Sequence, residues 1–294
     1  MPFTLLESTN WQDYALLDSG DGLKLERFGK YIFARPESQS MWKRSLTSEW
    51  KNADAVFIPT GEESGGHWDF KKKVNEKWEM QYGDLRFWTM TTPGRHLGVF
   101  PEVAAHWDWF SELIHHRVHA EHRETNVLNL FGYTGLATLA AASAGAKVTH
   151  VDASKKSVNW ARENQALSRL TEKPVRWIVE DALKYVQREA RRGVKYDGVI
   201  LDPPKFGRGP KGEVWEVYKS LPNLLETLRE CLSDTPLFVV TTVYAVRASA
   251  IHVAQAMDDM MEGFGGKIDM GELVTREQSA GRLLSQAVYA RWEK

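Results

Sequence analysis

Residues 126–152 read NVLNLFGYTGLATLAAASAGAKVTHVD, and this stretch decides the fold. An apolar strand over 126–131 is followed by a helix of small residues over 136–144 and a second strand over 147–152. A unit of strand, helix and strand makes a right-handed crossover between two parallel strands. The stretch therefore predicts a parallel sheet whose faces are covered by helices.

The same alternation continues toward the end of the chain. Further strands are predicted over 175–180, 196–202 and 237–243. Helices are predicted over 154–169, 214–232 and 248–262, and a further helix follows the strand over 175–180 and runs through Arg192. The last two strands, over 268–275 and 286–292, are joined by a connection that has no room for a crossover helix. We therefore expect these two strands to form an antiparallel pair.

The N-terminal part of the chain has a different pattern, β-rich and irregular. Its predicted elements are a loop over 61–66 and strands over 22–28, 31–34 and 85–91. Six of the 12 tryptophans lie here, and we interpret most of them as the core of a small domain. The sequence thus predicts a β-rich domain over 1–95 and an α/β domain with a Rossmann-like sheet over 96–294.

Composition excludes several classes of protein. The single cysteine rules out a disulfide within the chain and fits a reducing compartment, so we expect a cytoplasmic protein. No apolar run approaches the roughly 18 residues that span a bilayer. With 38 basic and 39 acidic residues, the chain has no overall excess of positive charge for nucleic acid. Any basic rim would be local, and its candidates are Lys71–Lys73 and the cluster of Lys205, Arg208 and Lys211.

Ligands of open α/β sheets bind beyond the carboxyl ends of the strands. The first strand ends in a loop whose candidate binding residues are Asn129, Phe131, Gly132, Tyr133, Thr134 and Gly135. The two glycines would let the backbone turn tightly and approach a ligand. The second strand ends at Asp152, followed by Ala153, and a carboxylate there can accept both hydroxyls of a ribose.

Two more strand ends carry candidate side chains. Asp181, followed by Ala182, is placed either to accept the exocyclic amine of a base or to cap the next helix. The fourth end reads Asp202-Pro203-Pro204-Lys205-Phe206. Its prolines lack N–H donors and would leave their carbonyls to accept hydrogen bonds from a planar base or amine, on which Phe206 could stack.

The strand ends also indicate the class of nucleotide. The loop over 131–135 lacks the third glycine of a dinucleotide fingerprint, and the chain has no triphosphate loop. A nucleoside without phosphates fits better, and S-adenosylmethionine is the obvious one. A nicotinamide oxidoreductase is disfavoured for the same reason.

Over residues 95–294, these motifs resemble the class I S-adenosylmethionine-dependent methyltransferases. More narrowly, the chain is similar to the large-subunit ribosomal RNA methyltransferases with an Asp-Pro-Pro-Lys-Phe motif, including their segment Gly98–Glu102. The resemblance implies a seven-stranded sheet with an antiparallel last strand. It also implies that the 129–135 loop holds the methionine part, Asp152 the ribose and Asp181 the adenine amine, with Asp202 near the amino and methyl groups.

Cytosine C5 methyltransferases of this group attack the base with a cysteine after the fifth strand. Here Thr241–Tyr244 stand at that place, and the sole cysteine, Cys231, ends the preceding helix. A thiolate adduct is therefore disfavoured, and transfer to nitrogen, which needs mainly positioning, is favoured. The base would be oriented by the Pro203 carbonyl and stacked on Phe206 or Tyr133. The segment after Glu102 also lacks the arginine usual in the group, which bears on how the substrate is positioned.

The sequence predicts an S-adenosylmethionine-dependent methyltransferase that acts on a base nitrogen of ribosomal RNA, with residues 1–95 as its substrate-recognition region. Asp202, Pro203, Pro204, Lys205 and Phe206 are the candidates for the reaction centre. Two alternatives stay open: a methyltransferase for a protein or small-molecule amine, and a noncatalytic RNA-binding assembly factor. No metal is expected, since His115, His119 and His122 are better interpreted as a polar helix surface.

Overall fold

The computed structural model describes residues 1–46, 48–60, 65–244 and 247–294. Most of the predicted loop over 61–66, namely residues 61–64, lies outside the described residues. The strands are β1 (Phe3–Glu7), β2 (Tyr14–Gly20), β3 (Leu23–Phe28), β4 (Tyr31–Pro36), β5 (Ala55–Pro59), β6 (Gly66–Phe70), β7 (Trp78–Tyr82), β8 (Leu85–Thr89), β9 (Asn126–Leu130), β10 (Lys147–Asp152), β11 (Val175–Val179), β12 (Gly198–Leu201), β13 (Phe206–Arg208), β14 (Val214–Glu216), β15 (Phe238–Val243), β16 (Lys267–Arg276) and β17 (Leu283–Glu293). The α-helices are α1 (Ala104–His115), α2 (Leu136–Ser143), α3 (Lys155–Leu167), α4 (Ala182–Arg191), α5 (Val217–Glu230) and α6 (Ala250–Met261).

The chain divides into two compact units. The larger unit comprises Met1–Leu6, Ala104–Leu273 and Gln286–Lys294, and the smaller comprises Glu7–Val103 and Val274–Ser285. The boundary falls after Val103, not after residue 95 as the sequence pattern suggested, because the intervening segment is tied into the smaller unit. The Trp11 indole donates to the Pro101 carbonyl over 2.9 Å, and Leu97 and Val99 are buried.

The larger unit is built on one sheet with the strand order β1-β16-β17-β15-β12-β9-β10-β11. The neighbours from β15 to β11 run parallel, and β17 runs antiparallel to β15. This confirms the predicted Rossmann-like sheet with an antiparallel terminal strand. The sheet has an eighth strand that the sequence did not predict, because β1 pairs beside β16 and covers what would otherwise be an exposed edge.

The central strands are buried on both faces, which explains their continuous apolar sequences. Every residue of β12 and β15 is buried. On one side of the sheet, the ring of Phe110 from α1 stacks on Phe238 with centroids 5.5 Å apart. The strand order reverses beside β9, which has β10 on one side and β12 on the other. At such a reversal, a crevice is expected at the carboxyl ends of β9 and β12.

One predicted helix is shorter than expected. Residues 214–216 form β14, which pairs antiparallel with β13, and α5 begins only at Val217. Arg208 and Lys211 of the basic cluster therefore lie in a two-stranded hairpin. The strand forms because Val214 and Trp215 favour extended backbone and find a partner in residues 206–208.

The smaller unit contains a five-stranded sheet, β2-β3-β4-β5-β6, and the hairpin of β7 and β8. The predicted strands over 22–28 and 31–34 are confirmed as β3 and β4, which pair antiparallel. The core is aromatic: Trp78 is buried and stacks on Phe33 with centroids 5.5 Å apart. Residues 274–285 belong to this unit because Glu277 accepts from Ser19 and the Ser279 hydroxyl donates to Asp18.

Candidate functional site

The loop after β9 is held in an unusual backbone conformation. Phe131 and Tyr133 have φ values of 58° and 48°, and Gly135 has a φ of 82°. Side chains other than glycine adopt this left-handed region at a cost, so such residues persist only where the surroundings hold them. Here the Gly132 amide donates to the Val151 carbonyl over 3.1 Å, which anchors the loop to β10.

The two loop glycines are required by packing. A Cβ at position 132 would lie 2.5 Å from Nδ1 of the buried His150. A Cβ at position 135 would lie 2.7 Å from the Cβ of Ala161 in α3. Both glycines therefore let the loop lie close to neighbouring elements of the protein, which is a different reason from the expected approach to a ligand.

Two predicted binding residues have their side chains beneath the loop. Asn129 is 2% exposed, and its amide donates to the Thr138 hydroxyl over 2.8 Å. Thr134 is 3% exposed, and its carbonyl accepts from Asn164 over 2.9 Å. Such burial suits residues that support the loop, and their role as binding residues stays a prediction.

Asp152 is a firmly positioned carboxylate at the carboxyl edge of the sheet. Its Oδ2 accepts from the Tyr133 amide over 2.9 Å, and its Oδ1 accepts from the Ser154 amide over 2.8 Å. Burial raises the pKa of this carboxyl, while the two amide hydrogen bonds act in the opposite direction. An ionised carboxylate has about four acceptor positions, so each oxygen keeps capacity for a ligand hydroxyl.

Tyr133 packs beside this carboxylate. Its ring lies 6.2 Å from that of Trp160 in α3, and burial, with the nearby Asp152 charge, raises the pKa of its phenol to about 12. The ring is thus part of the wall next to Asp152. Ala153, the other residue predicted here, is half-buried between Asp152 and the start of α3.

Asp181 caps a helix, which is one of the two roles predicted for it. Its Oδ1 accepts from the Lys184 amide over 3.0 Å at the N-terminus of α4. The side chain remains half-exposed at the edge of the sheet. Ala182 lies within α4 and is buried, so its methyl group packs into the protein.

The segment from Asp202 to Phe206 follows β12 directly and lies at the other side of the β9 end. The expectation that both proline carbonyls are open is wrong for Pro204, whose oxygen accepts from the Trp215 indole over 2.7 Å. Phe206 is 58% exposed, and the Lys205 ammonium lies 5.4 Å from the centre of its ring. An exposed ring beside a cation suits stacking against a planar base.

Sequence reasoning missed Trp215. This residue is buried in β14, donates to Pro204 and packs its ring 4.7 Å from that of Phe131. It thereby joins the loop after β9 to the segment after β12. The sequence indicates this role only by placing a large aromatic residue close to the Asp-Pro-Pro-Lys-Phe motif. The predicted helix over 214–232 included residue 215, so a strand with an inward-facing tryptophan was not considered.

Cys231 lies where the sequence placed it, at the end of α5. It is fully buried, its Sγ is 3.7 Å from the Val186 carbonyl, and burial raises the pKa of the thiol to about 11. A thiol of this kind is neither ionised nor accessible to a base. Among the described residues, no group of three or more His, Cys, Asp or Glu side chains is placed to hold a metal ion.

The carboxylates at this edge fit S-adenosylmethionine. Asp152 offers acceptors for a ribose diol, and the half-exposed Asp181 offers one for the adenine amine. Asp202 brings a negative charge that would favour a sulfonium cation. The loop over 131–135 follows β9, which lies between the strands β10 and β12. Its backbone would surround the methionine part.

Comparisons with known proteins agree with a methyltransferase fold. A family model described as "Conserved hypothetical protein 95" matches residues 108–235. A solved SAM-dependent methyltransferase from Agrobacterium tumefaciens is 47% identical, with a TM-score of 0.93, over 99% of this chain and 93% of that one.

Curated relatives match over shorter stretches. The ribosomal RNA large subunit methyltransferase K/L of Shewanella frigidimarina is 39% identical over 110 residues, or 37% of this chain and 15% of that protein. The protein of the same name from Shewanella baltica is 31% identical over 189 residues, or 63% of this chain and 25% of that protein. This chain thus spans a quarter or less of these relatives.

The Agrobacterium structure matches nearly all of both chains at high identity, and its similarity extends beyond the sheet to both compact units. The described part of the chain contains no helix that is long and apolar enough to cross a membrane. The chain belongs to the S-adenosylmethionine (SAM)-dependent methyltransferases.

Proposed function

We propose that this protein binds SAM at the carboxyl edge of the large sheet and transfers its methyl group to a base nitrogen of ribosomal RNA. The observation that carries the proposal is the position of Asp152 and of the Asp202–Phe206 segment on the two sides of the β9 end, where the strand order reverses. In open α/β sheets this is the place where nucleotides bind.

The proposal assigns a role to each group of residues at the edge. Asp152 accepts from the ribose hydroxyls, Asp181 accepts from the adenine amine, and the loop over 131–135 surrounds the methionine part. When bound, SAM supplies an electrophilic methyl group on a positively charged sulphur. Asp202 lies at the end of β12, where its carboxylate would accept from the amine that is methylated and favour the positive charge beside it.

The remaining requirement is orientation of the acceptor. Phe206 presents an exposed ring on which a base can stack, and the Pro203 carbonyl would accept a hydrogen bond from the same base. The Pro204 carbonyl already accepts from Trp215 and helps to fix the segment. Holding the nitrogen lone pair in line with the methyl group accounts for much of the rate in such a reaction, since no covalent adduct is needed.

The choice of acceptor rests on two observations. The curated relatives are named for ribosomal RNA, which favours an RNA substrate. Burial of the Cys231 thiol, whose pKa is raised to about 11, favours nitrogen over carbon C5, because attack on C6 of the base requires a thiolate. We propose the smaller unit, with most of residues 1–95, as the substrate-recognition region, and the cytoplasm as the compartment where this RNA is met.

A transfer assay with separated fractions tests the proposal. Tritiated SAM is incubated with the purified protein and with ribosomal RNA, protein or metabolite fractions from cells that lack the enzyme. We expect label in ribosomal RNA, at a nitrogen-methylated nucleoside after digestion, and about 100-fold slower labelling when Asp202 is replaced by alanine. Label in protein or metabolites would replace the RNA assignment. Binding of RNA without transfer to any fraction would identify a noncatalytic assembly factor.

A further inference from the structure

Trp215 occupies a special place in the hairpin of β13 and β14. It stands opposite Gly207, and its side chain is 4% exposed. The neighbouring hairpin side chains Phe206 and Val214 are exposed, so Trp215 is the large side chain that the hairpin directs inward. Its indole N–H donates to the Pro204 carbonyl over 2.7 Å.

The other contact of Trp215 reaches the loop after β9. Its ring lies 4.7 Å from the ring of Phe131, at an angle of 59°. Phe131 has a left-handed φ of 58°, which a bulky side chain adopts only when its surroundings fix it. Contact with the buried indole is part of what fixes it, so the geometry of this loop depends on Trp215.

The hairpin has further contacts near its tip and at its base. Glu213 near its tip accepts from Lys184 over 2.6 Å, and Lys184 is largely solvent-exposed. Ion pairs with such exposure contribute little to stability. At the base of the hairpin, the Val217 amide donates to the Lys205 carbonyl over 3.0 Å. The buried indole adds a side-chain anchor between these two ends of the hairpin.

From these contacts we infer that Trp215 is a positioning residue for methyl transfer. Its hydrogen bond to Pro204 and its ring contact with Phe131 hold the Asp202–Phe206 segment in register with the SAM-binding loop. The role rests on the proposed function, because it concerns the relative position of the two parts of that site. A phenyl ring at position 215 would keep most of the packing and lose the hydrogen bond, since it has no N–H donor.

The test compares Trp215→Phe with Trp292→Phe. Trp292 is a matched control: it is buried in β17 of the same unit, and its indole also donates to a carbonyl, that of Gly265, over 2.8 Å. Amide hydrogen exchange over 205–217 is measured without SAM, and the Kd of SAM is measured by calorimetry. The kcat is measured at saturating SAM with the RNA fraction that accepts label in the transfer assay.

For Trp215→Phe we expect exchange over 205–217 to be about tenfold faster, the change that loss of one ordinary hydrogen bond gives. The Kd of SAM should change less than about threefold while kcat falls at least about tenfold, since a loss confined to positioning lowers kcat selectively. Trp292→Phe should leave both the exchange over 205–217 and kcat at wild-type values. A purely structural role for Trp215 would lower stability without this split.

Equal exchange and equal kcat in the two variants would overturn the inference. If Trp215→Phe does not fold, Phe131→Leu probes the same contact from the other side and should also accelerate exchange over 205–217. Unchanged exchange in that variant would likewise overturn it. Absence of SAM binding or transfer in the wild type would contradict the proposed function, whereas the exchange result would still report on the anchor itself.

Discussion

The backbone amide of Tyr133 donates to the Asp152 carboxylate over 2.9 Å and ties the loop after β9 to the end of β10. Tyr133 has a left-handed φ of 48°, which turns its amide toward the neighbouring strand. The strained loop and the acidic strand end are thus one structural unit. A substitution in either is therefore expected to alter the geometry of the other.

Replacement of Gly132 by alanine should damage the loop through His150. The new methyl group would lie 2.5 Å from Nδ1 of the buried His150 ring, and this Nδ1 is 2.9 Å from the Thr138 hydroxyl. We expect a loss of about 1–3 kcal/mol in the free energy of unfolding, measured with urea, as for other overpacked sites. Gly94→Ala is the control, since its methyl group would meet only Thr92 Oγ1 at 3.8 Å. An equal effect of both substitutions would refute this explanation of Gly132.

Cys231→Ala should retain methyl transfer within about twofold of wild type. The thiol is buried, and its pKa is raised to about 11, so it is not a nucleophile in the folded protein. Iodoacetamide should accordingly leave the native enzyme active over hours. Loss of turnover in a folded Cys231→Ala protein, or rapid inactivation by the reagent, would restore a covalent mechanism.

Stability should fall on mild acidification because of buried histidines. Burial, with the Arg291 charge, lowers the pKa of His106 well below 6.5, and its ring nitrogens have no hydrogen-bond partner among the described residues. Burial also lowers the pKa of His96 and of His150 to about 3. These rings stay neutral in the folded protein but bind protons in the unfolded chain below pH 6.5. The histidines therefore do not reduce the free energy of unfolding above pH 6.5, and they reduce it progressively as the pH falls below 6.5 toward the pKa of the folded state.

His106→Leu isolates one of these contributions. Relative to wild type, the variant should gain up to about 2 kcal/mol of unfolding free energy between pH 7 and pH 5, since each pH unit below 6.5 costs about 1.4 kcal/mol per neutral histidine. Urea unfolding of the two proteins at both pH values measures the difference. The same pH dependence in both would show that His106 is not responsible.

Asp202→Ala and Phe206→Ala should impair transfer much more than SAM binding. Asp202 would act on the amine that is methylated, and Phe206 offers its exposed ring to the acceptor base. We expect kcat to fall about 100-fold for Asp202→Ala and about tenfold for Phe206→Ala, with a smaller change in the Kd of SAM. Phe3→Ala removes a ring of similar exposure from β1 and should have no effect. Full turnover in both site variants would show that the reaction centre lies elsewhere.

The elements predicted from the sequence are those whose signal is local. The apolar runs of β9, β12 and β15 reflect burial on both sheet faces. The start of the helix predicted from residue 154 reflects a single hydrogen bond near in sequence, from the Ser157 amide to the Ser154 hydroxyl. Strand β1 was not predicted, because its partner β16 lies more than 250 residues away and supplies the edge that makes it a strand. The hairpin of β13 and β14 was missed for a similar reason, since Trp215 becomes a strand residue only through pairing with 206–208.

The candidate site was predicted in outline but not in its supports. Asp152, Asp202 and Phe206 stand at strand ends, and the rule for parallel sheets brings such ends to one edge. That Asn129 and Thr134 point into the protein depends on Thr138 and Asn164, whose contacts form only when α2 and α3 pack on the sheet. Inward or outward orientation is a property of that packing, and a loop without a regular period does not encode it.

Calorimetric titration with SAM tests the central claim most directly, with wild type, Asp152→Asn and Asp269→Asn compared. The first substitution keeps the shape of the side chain but removes the charge and the second acceptor oxygen at the predicted ribose site. The second removes a carboxylate of the same unit that is bonded to Thr4 and Arg291 in the outer strands. We predict saturable binding of one SAM to wild type and Asp269→Asn, and affinity at least about 100-fold weaker for Asp152→Asn. Absence of binding to the wild type, or undiminished binding to Asp152→Asn, would contradict the account.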